Sequence, residues 1–180
     1  MIERAKQFAE KAHKGQKRKN STAAYIIHPI QVADTLRSAG CREEVICAGY
    51  LHDVVEDTMY ELADIEREFT KTVLDLVAAH TEDKSKSWQV RKQHTVDTVR
   101  KGSLEVKCLI VADKLDNLLS LEKDFERDGD ALWQHFNAGY AQQKWYNESI
   151  AEHMTTGIPN DEIPAFFHSY QKAVERFFRN

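Results

Sequence analysis

Apolar positions recur at helical spacing through most of this chain. Ile2, Ala5, Phe8, Ala9 and Ala12 form one stripe, which Gly15 ends. Pro29 suits the first position of a second helix running to Ala39, with Gly40 as its stop. A third helix, residues 43–56, carries Val45, Ile46, Ala48, Leu51 and the pair Val54-Val55, which bury one side of it. Thr58 is the expected cap of a helix through Glu61, Ile65 and Phe69, and another spans residues 73–79. A mixed-charge helix covers residues 88–100. Val106, Cys108 and Ile110 alternate as a strand would. The helical spacing of Leu104, Cys108, Val111, Leu115, Leu118 and Leu119, with no partner strand in view, favours helix there. Residues 122–130 read as a charged linker. Residues 131–154 and 162–178 are amphipathic helices, with Pro159 and Pro164 marking the break between them.

This pattern predicts an all-α fold, a single helical bundle over residues 1–180. Seven Gly and three Pro in 180 residues leave little material for turn-rich β structure. The length suits one domain with a sizeable core. A net charge of −4 argues against nucleic acid or a membrane surface as partner. No apolar run approaches a membrane span and no signal peptide is evident, so the expected location is the cytoplasm. Cys41, Cys47 and Cys108 lack metal-knuckle spacing and read as reduced, buried thiols. The sequence is compatible with a homo-oligomer without dictating one.

The chemistry concentrates in Leu51-His52-Asp53-Val54-Val55-Glu56-Asp57-Thr58. On a continuous helix, Glu56 falls at i+4 from His52 and Asp57 at i+4 from Asp53, crowding four polar groups onto one face. Carboxylates are almost never buried without a partner, so the arrangement asks for a cation. Mixed His and carboxylate donors suit Mn, Fe or Zn, and oxygen donors alone would suit Mg or Ca. One helix cannot fill a coordination sphere. His28, before Pro29, and Asp113, which ends the apolar run 109–112, are the other candidate ligands. The basic stretch Lys14, Lys17, Arg18 and Lys19 is either a solvated loop or a phosphate clamp. Glu56 and Asp57 sit at a helix end where acids oppose the dipole, a cost that a bound metal or substrate would offset.

The order His28, His52-Asp53, Asp113 resembles the HD-domain metal-dependent phosphohydrolases. Residues 12–19 (AHKGQKRK), 25–29 (YIIHP), 51–58 (LHDVVEDT), 81–85 (TEDKS) and 112–117 (ADKLDN) narrow this to the hydrolase domain of RelA/SpoT-type alarmone enzymes. The resemblance runs from about Ala5 to Leu121. It implies one divalent transition metal, Mn²⁺, held by His28, His52, Asp53 and Asp113, with the Glu56-Asp57 pair required for hydrolysis. It implies that Arg18 lies under the base, that Lys19 reaches toward phosphate and that Asn117 contacts the nucleotide. Ser120 stands where the relatives commonly carry Thr. The implied activity is that of a guanosine-3′,5′-bis(diphosphate) 3′-pyrophosphohydrolase, and 180 residues leave no room for a synthetase domain.

The chain departs from the family at Thr70 (usually Gly), Lys114 (often Arg) and Asp116 (often His). Two other readings stand beside the first: the same mechanism on another nucleotide, and a non-catalytic alarmone-binding module. The second of these would be expected to lose Glu56, Asp57 or a ligand, and none is lost. The remaining histidines (His13, His80, His94, His135, His153, His168) follow no ligand pattern and read mostly as surface or capping residues, with His13 supporting the basic loop. Trp133, Phe136, Tyr140, Trp145 and Tyr146 read as core or interface, one of them a candidate for the far wall of a pocket.

Overall fold

The computed structural model describes residues 1–19, 21–135 and 138–178. Its helices, in chain order, are α1 (Ile2–Ala12), α2 (Ile27–Ser38), α3 (Glu43–Leu51), α4 (Val54–Asp57), α5 (Leu62–Glu68), α6 (Lys71–His80), α7 (Trp88–Lys101), α8 (Leu104–Asp128), α9 (Tyr140–His153) and α10 (Ala165–Phe178), with 3-10 turns at Gly129–His135 and Asn160–Glu162. Among the described residues there is no β-strand, only an isolated bridge between Lys17 and Ala24 that closes the basic loop. The all-α bundle is therefore as expected.

Helix α3 is the axis. Every residue from Val45 to Leu51 is buried, because α1, α2, α6 and α8 all pack on it. Gly49 makes the α2–α3 crossing close: a Cβ there would stand 3.1 Å from Ala33 Cα. Helix α8 is shared with a second layer of α7, α9 and α10. Helix ends follow the expected chemistry where small polar residues are available. Thr70, Ser87 and Ser103 accept from the backbone amide three residues on, starting α6, α7 and α8. Gly40, at φ +73°, ends α2 with paired bonds Gly40 N to Arg37 O and Cys41 N to Leu36 O.

Several boundaries differ from the sequence reading, each for an identifiable reason. Pro29 is the third residue of α2, since Tyr25 O already accepts from His28 N. The helix expected over 43–56 is two, α3 and α4, broken at His52-Asp53. Thr58 is not the cap of α5. Its hydroxyl donates back to Val54 O, and Glu61 forms a capping box with Asp64 instead. Residues 122–128, read as linker, continue α8. Leu121 and Phe125 prolong its apolar face, with Phe125 packing edge-on against Phe177, and Glu122 takes a two-pronged ion pair from Arg176. The helix expected from 131 starts only at Tyr140. Cys47 and Cys108 are buried free thiols, and Cys41 is half-buried.

Candidate active site

Three helices converge on one polar centre inside this otherwise apolar core. His28 comes from the first turn of α2, His52 from the end of α3 and Asp113 from mid-α8. The side-chain donor atoms of these three all lie within 4.8 Å of one another, and all three residues are buried. His28 Nε2 is 3.2 Å from His52 Nε2 and 3.2 Å from Asp113 Oδ1. Asp53 joins at one edge, its Oδ2 3.1 Å from His52 Nε2 and 3.5 Å from His28 Nε2, while also accepting from the Tyr25 hydroxyl. His52 and Asp53 lie at the junction of α3 and α4, where both keep right-handed helical backbone angles.

The donor set suits a divalent transition ion. Each imidazole has its outer nitrogen engaged as a donor: His28 Nδ1 lies 2.5 Å from Asp116 Oδ2, and His52 Nδ1 lies 2.8 Å from Gly49 O. The Nε2 lone pairs are thereby turned inward, facing each other at 3.2 Å, which favours a proton or a metal between them. Electrostatics agree. Burial alone would lower the His28 pKa, but Asp113 and Asp116 outweigh it and push it up to about 9. His52 is raised in the same way, Asp53 overcoming burial. Burial works to raise the Asp53 and Asp113 carboxyls, yet His52 and Lys114 respectively hold them far below the usual range. The centre therefore demands positive charge.

A second layer, largely unseen in the sequence, orients this set. His80, for which the sequence predicts a surface or capping role, faces the centre instead. It is 8% exposed, its Nε2 lies 2.9 Å from Asp113 Oδ2, and its ring sits edge-on to His52 at 4.8 Å. Its Nδ1 is buried without a partner, and burial lowers its pKa. Spacing offered a clue, because Val73, Val77 and His80 share the apolar face of α6. Asn117 Nδ2 donates to Asp113 Oδ1 at 2.5 Å, and Lys114 Nζ to Asp113 Oδ2 at 2.7 Å. His13 behaves as expected: Nδ1 is 2.8 Å from Gln16 Oε1, and the ring stacks on Tyr25 at 4.7 Å.

Glu56 and Asp57 flank the centre on α4. Glu56 Oε2 accepts from Glu82 N at 3.2 Å, and burial, then Asp53, raises its pKa. Asp57 accepts from Lys84 Nζ at 2.5 Å, so a cation from the loop after α6 offsets part of the helix-end cost. Beside the centre lies a cleft of about 320 Å³. Arg18, Lys19, Asn117 and Ser120, the residues expected to contact a nucleotide, line it together with Lys92, Lys114, Trp88 and Tyr146. Lys92 and Lys114 stand over the Tyr146 ring at 5.2 and 5.7 Å. Trp133 and Tyr140 pack together away from the cleft, and Phe136 lies outside the described residues.

An all-α bundle that gathers His, His-Asp and Asp from α2, the α3–α4 junction and α8 beside a cationic cleft defines the class of this protein, and the chain belongs to it: the HD domain family matches residues 5–141. A Drosophila melanogaster relative, guanosine-3′,5′-bis(diphosphate) 3′-pyrophosphohydrolase MESH1, is 40% identical over 119 residues, which is 64% of this chain and 66% of that one. Among solved structures, lmo0812 from Listeria monocytogenes EGD-e superposes with a TM-score of 0.81 at 50% identity, covering 85% of this chain and 94% of the other. A metazoan ortholog of SpoT that hydrolyzes ppGpp superposes at 0.77 and 28% identity, covering 97% and 93%.

Proposed function

We propose that this chain is a metal-dependent guanosine-3′,5′-bis(diphosphate) 3′-pyrophosphohydrolase, converting the tetra- or pentaphosphate to GDP or GTP and pyrophosphate. The observation that carries this reading is the convergence of His28, His52 and Asp113 donor atoms within 4.8 Å, next to a cleft walled by Arg18, Lys19, Lys92 and Lys114. The activity of the Drosophila relative and of the metazoan SpoT ortholog supplies the substrate class. His28, His52, Asp53 and Asp113 are the assigned ligands and Mn²⁺ the assigned ion. When bound, such an ion activates water and neutralises phosphate charge.

The chain's own residues do the rest. Glu56, its pKa raised by burial, and Asp57 orient the attacking water and pass a proton toward the leaving oxygen. Arg18 stacks under the base through its planar guanidinium, and Lys19 reaches toward phosphate. Asn117 and Ser120 hold the nucleotide from α8. Lys92 and Lys114 add positive charge to the same cleft. The assigned setting is the cytoplasm, with a free nucleotide as partner. Among the described residues, no helix is long and apolar enough to cross a membrane.

The test is to incubate purified protein and Mn²⁺ with a nucleotide panel and identify the products by chromatography. Guanosine 3′-pyrophosphates should be consumed with release of pyrophosphate, and plain GTP should not. Equal turnover of GTP and its 3′-pyrophosphorylated relative would make the chain a general nucleotide phosphohydrolase. His52→Ala and Asp53→Ala should each lose the metal by elemental analysis; full occupancy in both would overturn the ligand assignment.

A further inference from the structure

The basic loop and the metal centre share one carboxylate. Asp116 Oδ2 lies 2.5 Å from His28 Nδ1 and 3.3 Å from Arg18 Nη2, a contact that spans 98 residues of sequence. The same guanidinium places Nη1 3.5 Å from Asn117 Oδ1, and Asn117 Nδ2 reaches Asp113 Oδ1. Helix α8 produces this by spacing. Asp113, Asp116 and Asn117 stand at i, i+3 and i+4, so one helix face carries a metal-facing carboxylate and two supports for the centre. All of these groups are shielded, with Arg18 and Asp116 side chains 16% and 14% exposed and His28 1%.

We propose that Asp116 is a positioning residue through which the nucleotide loop and the metal centre are thermodynamically coupled. The inference rests on the metal and nucleotide assignments above. A carboxylate behind an imidazole fixes the tautomer and strengthens the other ring nitrogen as a metal donor. In Asp116 a single oxygen serves both His28 and Arg18, so each donor weakens the other's hold. A phosphate or base that draws Arg18 into the cleft leaves the Asp116 charge to His28, and the inner nitrogen binds the ion more firmly. In the other direction, a bound cation polarises the His28 ring, tightens the Nδ1–H bond to Asp116 and frees Arg18 for the nucleotide. Linkage makes the two effects equal.

Titration of the chelator-stripped full chain with Mn²⁺ alone, read by the dissociation constant, tests this in a double-mutant cycle. Asp116→Asn keeps the size and an acceptor oxygen but removes the charge, and should weaken Mn²⁺ about 10- to 100-fold, the usual effect of losing an outer-shell partner. Arg18→Ala should tighten Mn²⁺ in the wild-type background and have no effect in the Asp116→Asn background. A purely structural Asp116 would give Arg18→Ala the same effect in both. Additivity, or an unchanged constant in Asp116→Asn, overturns the coupling. Should Asp116→Asn fail to fold, judged by circular dichroism, Arg18→Ala alone decides: any outcome other than tighter Mn²⁺ overturns the proposal. Failure of the unmutated chain to bind Mn²⁺ would instead overturn the ligand assignment, and the coupling with it.

Discussion

Gly49→Ala sets two opposed effects of known size against each other at the α2–α3 crossing. Gly49 lies within α3, where exchanging glycine for alanine favours the helix by about 0.8–1.0 kcal/mol. Against this, the new Cβ would stand 2.8 Å from Leu36 Cδ1, 3.1 Å from Ala33 Cα and 3.3 Å from Ala33 N. Carbon atoms sit comfortably at about 3.5–4.0 Å, so the atoms nearest the new methyl must retreat by roughly 0.5 Å. Leu36 is fully buried and the Ala33 atoms are backbone, so α2 itself has to shift. Overpacking of this kind costs about 1–3 kcal/mol, and it outweighs the propensity gain. The expected net loss is up to about 2 kcal/mol, or a Tm lower by several degrees at roughly 2–4 °C per kcal/mol for a chain of this size. The shift also separates His28 on α2 from His52, whose Nδ1 is held by Gly49 O, so Mn²⁺ affinity should fall as well. Calorimetry of the metal-free protein checks the first effect and Mn²⁺ titration the second. A metal-free variant melting above the parent would refute the reasoning, because it would mean the crossing has room for a methyl group.

Three further outcomes follow from the same geometry. Glu56→Gln combined with Asp57→Asn should lower turnover by about 10²–10⁴-fold while elemental analysis finds the metal still in place; unchanged turnover would remove both from the proposed proton transfer. Burial works to raise the Glu82 carboxyl, but Lys92, Lys114 and Arg91 outweigh it and leave its pKa below the ordinary value. Stability from its ion pairs with Lys92 (2.7 Å) and Arg91 (2.8 Å) is therefore full above the unfolded carboxyl pKa and lost as pH falls through the lower folded one. Tm curves of the parent and Glu82→Gln should be separated at neutral pH and converge in acid; a constant gap would show that the charge is irrelevant. Lys107, 2% exposed, donates to Thr156 O at 2.6 Å and sits 3.5 Å from Arg100 O, tying the residues just past α9 to the end of α7. Lys107→Met removes this charged hydrogen bond and should cost about 1.5–3 kcal/mol in urea unfolding, whereas an unchanged midpoint would mean that water replaces the ammonium.

The chemistry of the centre was legible in the residues themselves. His52-Asp53 beside an apolar run, a His before a Pro and an Asp closing another run are local signals, and the order in which they occur carries the family. Helix α1 was legible for the same reason, since a stripe at 3.6-residue spacing needs no distant information. The end of α8 was not. Its charged residues look like a linker until Phe125 meets Phe177 and Glu122 meets Arg176, partners about fifty residues away. The break at His52-Asp53 was also hidden, because local propensity favours continuing the helix. His80 and Asp116 show the same limit. Their neighbours in sequence say nothing of Asp113 or His28, and burial in a medium of low dielectric decides which acid pairs with which base. The sequence by itself named the candidate donors and most of the stretches that coil. Tertiary structure decided where helices stop and which groups stand behind the donors, since those depend on long-range contacts that no short window contains.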